Sequence, residues 1–174
     1  MDKVNESQSI GIVGGGQLAQ MMLPAARNLG YRIVVLDPDQ HCASAEEADE
    51  LIIGDFSSSD ALKELGARSD YVTFEIEKVS VENLKMLECQ GKIVRPSSSV
   101  LSKIQDKLVQ KEELEKLGLP VGEFMDLKNK EDLAERIPCV WKARTSGYDG
   151  NGVIVLRSIE DMDAVPSRPG YTET

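Results

Sequence analysis

"GIVGGGQLAQ", residues 11–20, decides how the first half of this chain is read. It closes the apolar run "SIGIVG" (9–14) with three consecutive glycines and passes straight into "QLAQMMLPAARNLG" (17–30), whose apolar residues recur at helical spacing. A strand, a glycine turn and a helix in direct succession leave backbone amides pointing outward with the helix dipole behind them. Such a turn serves either as an anion site or solely as a tight connection that needs glycine for backbone reasons. The stretch also fits Gly14-x-Gly16-x-x-Ala19, the dinucleotide fingerprint in its Gly-to-Ala form. An acidic residue, Asp37, follows at the end of "IVVL".

Outward from this turn the pattern repeats. Further strand-like runs are "YRIVVL" (31–36), "ELII" (50–53), "DYVTFE" (70–75) and "KIVRP" (92–96), separated by helix-like "SSDALKELG" (58–66) and "VSVENLKMLECQG" (79–91). Gly30, Gly66 and Gly91 fall where helix C-terminal glycines belong. Strands alternating with helices predict an α/β domain with a parallel sheet over residues 1–100. Pro24, inside the first helix pattern, is expected to kink it.

The neighbourhood of Asp37 weakens the dinucleotide reading. "LDPDQHCAS" crowds the strand end with Pro38 and a second carboxylate, and no second half of a doubly wound dinucleotide fold follows. In "TFEIEKV" (73–79), Glu75 and Glu77 stand two apart and, on a continuing strand, would share a face at the carboxyl end of the sheet. They are either ligand acceptors for a sugar hydroxyl or amine, or solvated strand-end glutamates. His41, in a polar loop, reads as solvated.

Composition bounds the function. A formal net charge of −10 over 174 residues argues against a nucleic-acid binder, which needs Lys and Arg for the phosphate backbone, but leaves room for a small anionic ligand. Cys42, Cys89 and Cys139 are odd in number and widely spaced, which fits a reducing cytoplasm better than a disulfide framework or a zinc site. The polar "MDKVNESQS" does not resemble a signal peptide, and no apolar run is long enough to span a membrane.

From about residue 97 the pattern changes. "SSSVLSKIQDKLVQKEELEKLGLP" (97–120) predicts a long charged helix closed by Gly118 and Pro120, with i,i+4 pairs such as Glu112–Lys116 on an exposed face. Then come a short strand "GEFMDL" (122–127), a helix "NKEDLAERI" (129–137), and the strands "PCVWKAR" (138–144) and "VIVLR" (153–157), joined by "TSGYDGNG" (145–152). Lys142, on a strand expected to be mostly covered, is a candidate point charge for a phosphate. The loop glycines Gly147, Gly150 and Gly152 could close over that phosphate, or form an ordinary hairpin tip. The spacing is not that of a P-loop.

"GGGQLAQM", "LDPD", "TFEIEKV", "IQDKLVQKEELEKLGLP" and "VWKARTSGYDGNG" stand in an order and spacing that resemble the 5-(carboxyamino)imidazole ribonucleotide synthase family, ATP-grasp enzymes of bacterial and fungal purine biosynthesis. The likeness runs from Ser9 to the end of the chain. It implies a Rossmann-like pre-ATP-grasp domain (1–100) followed by a linker helix and part of the central ATP-grasp lid subdomain (101–174), without the C-terminal ATP-grasp domain. It implies that Lys107 and Lys142 bind the nucleotide and that Gly147, Tyr148, Asp149, Gly150, Asn151, Gly152 and Val153 form the loop over its phosphates. It further implies that Gly16, Gln17, Leu18 and Glu75, with Tyr148 and Asp149, hold aminoimidazole ribonucleotide. The implied reaction uses MgATP and bicarbonate to carboxylate that ribonucleotide, in a protein that is cytoplasmic and homodimeric through its first domain. The magnesium ligands and adenine hinge are expected beyond Thr174, so the chain alone is expected neither to turn over ATP nor to hold MgATP tightly. Three positions depart from the family pattern: Ser146 where glycine is usual, Asn151 where Lys or Arg is, and Val153 where Gln is. The alternatives are a non-catalytic ribonucleotide-binding protein and an NAD-dependent oxidoreductase.

Overall fold

A computed structural model of the chain describes residues 8–147 and 151–174. The chain divides into two compact units, Met1–Leu101 and Ser102–Thr174.

The first unit is built on five parallel strands in the order β3-β2-β1-β4-β5. They are β1 (Ser9–Val13), β2 (Arg32–Asp37), β3 (Glu50–Ile53), β4 (Tyr71–Phe74) and β5 (Ile93–Val94). Three helices, α1 (Gln17–Asn28), α2 (Ser59–Ala67) and α3 (Val81–Cys89), supply three of the four parallel connections, and β2 runs to β3 through a loop without a helix. Strand β2 reads as a continuous apolar run because both of its faces are covered. Val34 and Leu36 enter a cluster with Leu62, Leu65, Leu84 and Leu87 on the α2–α3 side. Ile33 and Val35 enter a second cluster with Ala19, Leu23 and Ala26 of α1. Each fully buried leucine contributes about 1.5–3 kcal/mol against exposure. Ser58 and Ser80 accept the Ala61 and Asn83 amides and so cap α2 and α3.

One local expectation changes. Gly30 and Gly91 close their helices in left-handed backbone, but Gly66 lies inside α2. Its role is steric: a Cβ there would come within 2.6 Å of Leu87, so glycine lets α2 and α3 approach. Helix α1 includes Pro24 within its range. The ring is on the exposed side of the helix, where water can satisfy the Gln20 carbonyl that proline leaves without a donor.

The second unit is an antiparallel sheet in the order β6-β9-β7-β8, with β6 (Phe124–Asp126), β7 (Cys139–Ala143), β8 (Val153–Leu156) and β9 (Gly170–Glu173). The β7–β8 hairpin is the one expected. Strand β9, central and paired to both β6 and β7, is not signalled by its short sequence "GYTE". Cys139, Trp141 and Ala143 point to one face, packing with Leu133, Leu156 and Val165. The helix expected over 129–137 is only a 3-10 turn, Lys130–Leu133, closed by a reciprocal Asn129–Asp132 cap. Pro138 biases Ile137 toward extended backbone, and so short a segment is a marginal helix without strong packing.

The long helix expected over 97–120 is two helices, α4 (Ser98–Gln105) and α5 (Lys107–Lys116). The break is Asp106, in extended backbone, whose carboxylate accepts the Leu108 and Val109 amides and so starts α5 afresh. On α5, Lys116 pairs with Glu113 at 2.9 Å rather than with Glu112, and Glu113 also takes Lys103 at 2.5 Å.

Candidate functional site

In the first unit the candidate residues meet at the carboxyl end of the parallel sheet. Strand β1 stops at Val13, and Gly14, at φ +94°, donates its amide to the Leu36 carbonyl at 2.9 Å. The next amide, Gly15, donates to Asp37 Oδ2 at 2.7 Å, and Gly16 donates to Glu75 Oε1 at 3.3 Å. Gly16 is the N-cap of α1, with no side-chain cap and no acidic residue in the first turn. The opening amides at Gln17 and Leu18 therefore have no carbonyl one turn earlier to donate to, and both residues are exposed. Gly14 is favoured here by its left-handed φ, and a Cβ at Gly14 or Gly16 would lie 2.8 Å from the Glu75 side chain, which would have to shift.

Asp37 is 8% exposed, and its second oxygen accepts the Asp39 amide at 2.8 Å. Its carboxylate holds the turn and the following loop together. That explains an acidic residue at the end of β2 without any ribose, and the NAD-dependent reading is set aside on this geometry. Behind the turn, Ser44 donates its hydroxyl to the Gly15 carbonyl at 2.9 Å. Cys42 also abuts Gly15, and burial pushes its thiol up, with the Asp37 and Asp39 charges adding to the effect. Neither residue was legible beforehand, since "CASAEE" carries no pattern that points back to the glycines.

Glu75 and Glu77 do not share a strand face. Strand β4 ends at Phe74, paired with Val13, because β1 leaves for the glycine turn and its ladder stops. The Glu75 amide still reaches the Val13 carbonyl at 3.0 Å, which aims its side chain at the turn. Glu77 lies beyond, exposed. His41 is likewise exposed.

In the second unit Lys142 is on the opposite face from Trp141, so it is half-open rather than covered. It stands across from Tyr171 in β9 and Val153 in β8. Its ammonium lies 2.5 Å from Glu173, which also takes Lys111 at 2.8 Å. Burial alone would raise the Glu173 carboxyl, but the two lysines win and hold it below its usual range. Lys111 also lies over the Phe124 ring, 5.9 Å from its centroid. Lys111 was not singled out from the charged run of α5. The signal that could have found it is its i,i+4 spacing from Lys107 on one face of α5.

Lys107 opens α5 and donates its amide to the Arg144 carbonyl at 2.7 Å. The Arg144 side chain grips Asp106 with Nε at 3.0 and 3.1 Å and Nη2 at 2.6 Å. Burial would raise the Asp106 carboxyl, but Arg144 and the α5 amides hold it below its usual range. The two candidate lysines are thus fixed by one Asp–Arg clamp, with Lys107 directly after Asp106 and Lys142 two residues before Arg144.

Of the loop residues, Gly147, Asn151, Gly152 and Val153 are described, whereas Tyr148, Asp149 and Gly150 lie outside the described residues. Gly152, at φ +76°, accepts the Ala143 amide at 2.8 Å and extends the hairpin by one bond. Val153 is 45% exposed beside Lys142. Ser146 adopts φ +58°, left-handed backbone that favours glycine.

Comparison with known proteins matches two regions of the chain. Residues 7–105 match the ribonucleotide synthetase pre-ATP-grasp domain, and residues 112–171 match the ATP-grasp domain. N5-carboxyaminoimidazole ribonucleotide synthase of Staphylococcus aureus (strain COL) is 34% identical over 166 residues, 92% of this chain and 44% of that protein. The crystal structure of the Staphylococcus aureus synthetase complexed with ADP superimposes with a TM-score of 0.90 at 32% identity, covering all of this chain and 49% of that one. The Aspergillus clavatus enzyme in complex with ADP and 5-aminoimidazole ribonucleotide gives 0.82 at 30% identity, covering 96% and 46%. The chain therefore spans less than half the length of these relatives. It belongs to the ATP-grasp ribonucleotide synthetases, in the family of N5-carboxyaminoimidazole ribonucleotide synthases, and carries a pre-ATP-grasp region and an ATP-grasp region.

Proposed function

We propose that this protein takes part in the ATP-dependent carboxylation of 5-aminoimidazole ribonucleotide with bicarbonate, giving N5-carboxyaminoimidazole ribonucleotide, ADP and phosphate. The observation that carries this reading is the uncapped start of α1, where the Gln17 and Leu18 amides have no intrahelical acceptor and Gly16 donates to the Glu75 carboxylate. Those amides suit the phosphate of a ribonucleotide, and the carboxylate suits a sugar hydroxyl or the exocyclic amine. The relative crystallised with ADP and the ribonucleotide supports the substrate class.

In this reading a bicarbonate oxygen attacks the γ-phosphorus of ATP and ADP leaves. The amine nitrogen then attacks the carbon of the carboxyphosphate, or of carbon dioxide released from it, and loses a proton while phosphate departs. Lys107, Lys142 and Lys111 stabilise charge on the phosphoryl oxygens. Gly147, Asn151, Gly152 and Val153, with Tyr148, Asp149 and Gly150, cover the transferring group and keep water from the labile intermediate. Magnesium belongs to the same reading. Among the described residues no group of three Asp, Glu, His or Cys side chains could hold a metal ion, and no step is assigned to one.

A homodimer through the first unit and a cytoplasmic location complete the proposal. Exposed Met21 on α1 and Leu29 at its C-cap support the former, and the free thiols of Cys42, Cys89 and Cys139 support the latter. Among the described residues no helix is long and apolar enough to cross a membrane.

The test is calorimetric titration of the chain with 5-aminoimidazole ribonucleotide. Saturable binding is expected, weakened about tenfold by Glu75→Gln, the loss of one charge-assisted hydrogen bond, and unaffected by Lys142→Ala. Absence of binding, or equal binding by the Glu75 variant, overturns the site.

A further inference from the structure

Helix α5 is fastened to the sheet of the second unit at places one helical turn apart. At its first turn the Asp106 carboxylate takes Arg144, and the Lys107 amide donates to the Arg144 carbonyl at 2.7 Å. One turn later Lys111 meets Glu173, which Lys142 shares. That later fastening is made by the lysines proposed to serve the nucleotide, so phosphates that draw Lys111 and Lys142 to themselves loosen it. The earlier one is made by a carboxylate, a guanidinium and backbone groups, and it outlasts ligand binding.

Arg144 carries most of this lasting attachment. Its Nε and Nη2 both reach Asp106, a fork that an ammonium does not reproduce. Its Nη1 lies 3.5 Å from Asp126 on β6. Its amide donates to the Pro169 carbonyl at 3.2 Å, one residue beyond the β7–β9 ladder. Arg144 is thereby tied to β6, to the chain entering β9 and to the start of α5 at once. Carboxylates on both sides match its charge, so what it offers a nucleotide is geometry rather than charge. Lys142 stands two residues before it and Lys107 directly after its partner Asp106.

We infer that Arg144 is a positioning residue for nucleotide phosphates: it holds the start of α5 against β7 and so keeps Lys107 and Lys142 in register when Glu173 gives up its lysines. The inference rests on the reading that these lysines serve phosphates. When Arg144 is replaced, Asp106 still caps α5 through the Leu108 and Val109 amides, so the helix persists and its registration on β7 is what is lost.

The test is calorimetric titration of the full chain with ADP and, separately, with AMP, which offers the lysines one phosphate fewer. Arg144→Gln is expected to weaken ADP about tenfold, the value of one charge-assisted phosphate contact, and AMP by less. Arg144→Lys should behave like Arg144→Gln, because it keeps the charge and loses the fork. Val165→Ala, which loosens the buried cluster on the opposite face of the sheet, should lower the melting temperature and leave the ratio of ADP to AMP affinity unchanged. A parent that binds no ADP refutes the nucleotide reading and this inference with it. If the parent binds ADP, each of the following overturns the inference alone: unweakened ADP binding by Arg144→Gln, equal weakening of ADP and AMP, full affinity in Arg144→Lys, or the same loss of ADP affinity in Val165→Ala.

Discussion

Asp106 is the residue on which the geometry of the second unit most depends, and its replacement makes a graded prediction. Its carboxylate performs two separable tasks, capping α5 through the Leu108 and Val109 amides and pairing with Arg144 at 2.6 Å. Asp106→Asn keeps a good N-cap but removes the charge, whereas Asp106→Ala removes both. A lost cap costs about 1 kcal/mol. The ion pair is only about a quarter exposed on each side, so it falls between surface pairs, at about 0–1 kcal/mol, and fully buried ones, at about 3–5 kcal/mol. Arg144 retains Asp126 at 3.5 Å, which softens the loss. We expect about 1–2 kcal/mol for Asp106→Asn and about 2–3 kcal/mol for Asp106→Ala. For a unit of this size the larger loss lowers the melting temperature on the order of 10–20 °C.

Urea or thermal denaturation followed by Trp141 emission isolates the second unit, because the only tryptophan is there. Arg144→Gln alone and combined with Asp106→Asn completes a cycle in which the two losses do not add. The same carboxyl makes stability depend on pH. Since it titrates lower folded than unfolded, its contribution is complete above the ordinary aspartate value of 3.8 and is lost as pH falls through the folded value. Asp106→Asn should flatten that acid limb. Variants as stable as the parent would refute the clamp, and equal losses for Asn and Ala would refute the cap.

Three further outcomes are expected. Gly170→Ala drives a Cβ to 2.2 Å from the Trp141 ring, with β9 held on both sides, and should cost about 1–3 kcal/mol by overpacking; an unchanged urea midpoint would show that the ring moves aside freely. Ser146→Gly relieves left-handed backbone at φ +58° and should stabilise the hairpin by about 1 kcal/mol, read as a higher midpoint of the Trp141 transition; destabilisation would contradict the strain. Glu173→Gln removes the anion shared by Lys142 and Lys111, so ADP affinity measured by calorimetry should rise about tenfold if these lysines serve phosphates, and weaker binding would count against that role.

How much of this was legible beforehand follows the range of the interactions involved. The βαβ alternation of the first unit was, because burial on both faces writes itself as apolar runs such as "RIVVL". The glycine turn was legible as an anion-competent strand-to-helix corner. What holds it was not: Asp37, Glu75 and Ser44 reach it from 22, 59 and 29 residues away. The resemblance to ATP-grasp ribonucleotide synthases rested on motif order and agrees with the comparisons. The roles it assigns to individual residues stay proposals, testable as above.

By itself the sequence determined the class of each unit and the local chemistry: a parallel α/β first region, a hairpin carrying Lys142, and glycines where the backbone must turn left-handed. These depend on period, caps and turns, all local properties. Tertiary structure alone decided that β9 lies between β6 and β7, that Asp106 splits one expected helix into two, and that Lys111 and Lys142 share Glu173. Those features arise from contacts across tens of residues. A carboxylate's choice between solvent, a helix amide and a distant cation is made only when the chain brings them within hydrogen-bond reach.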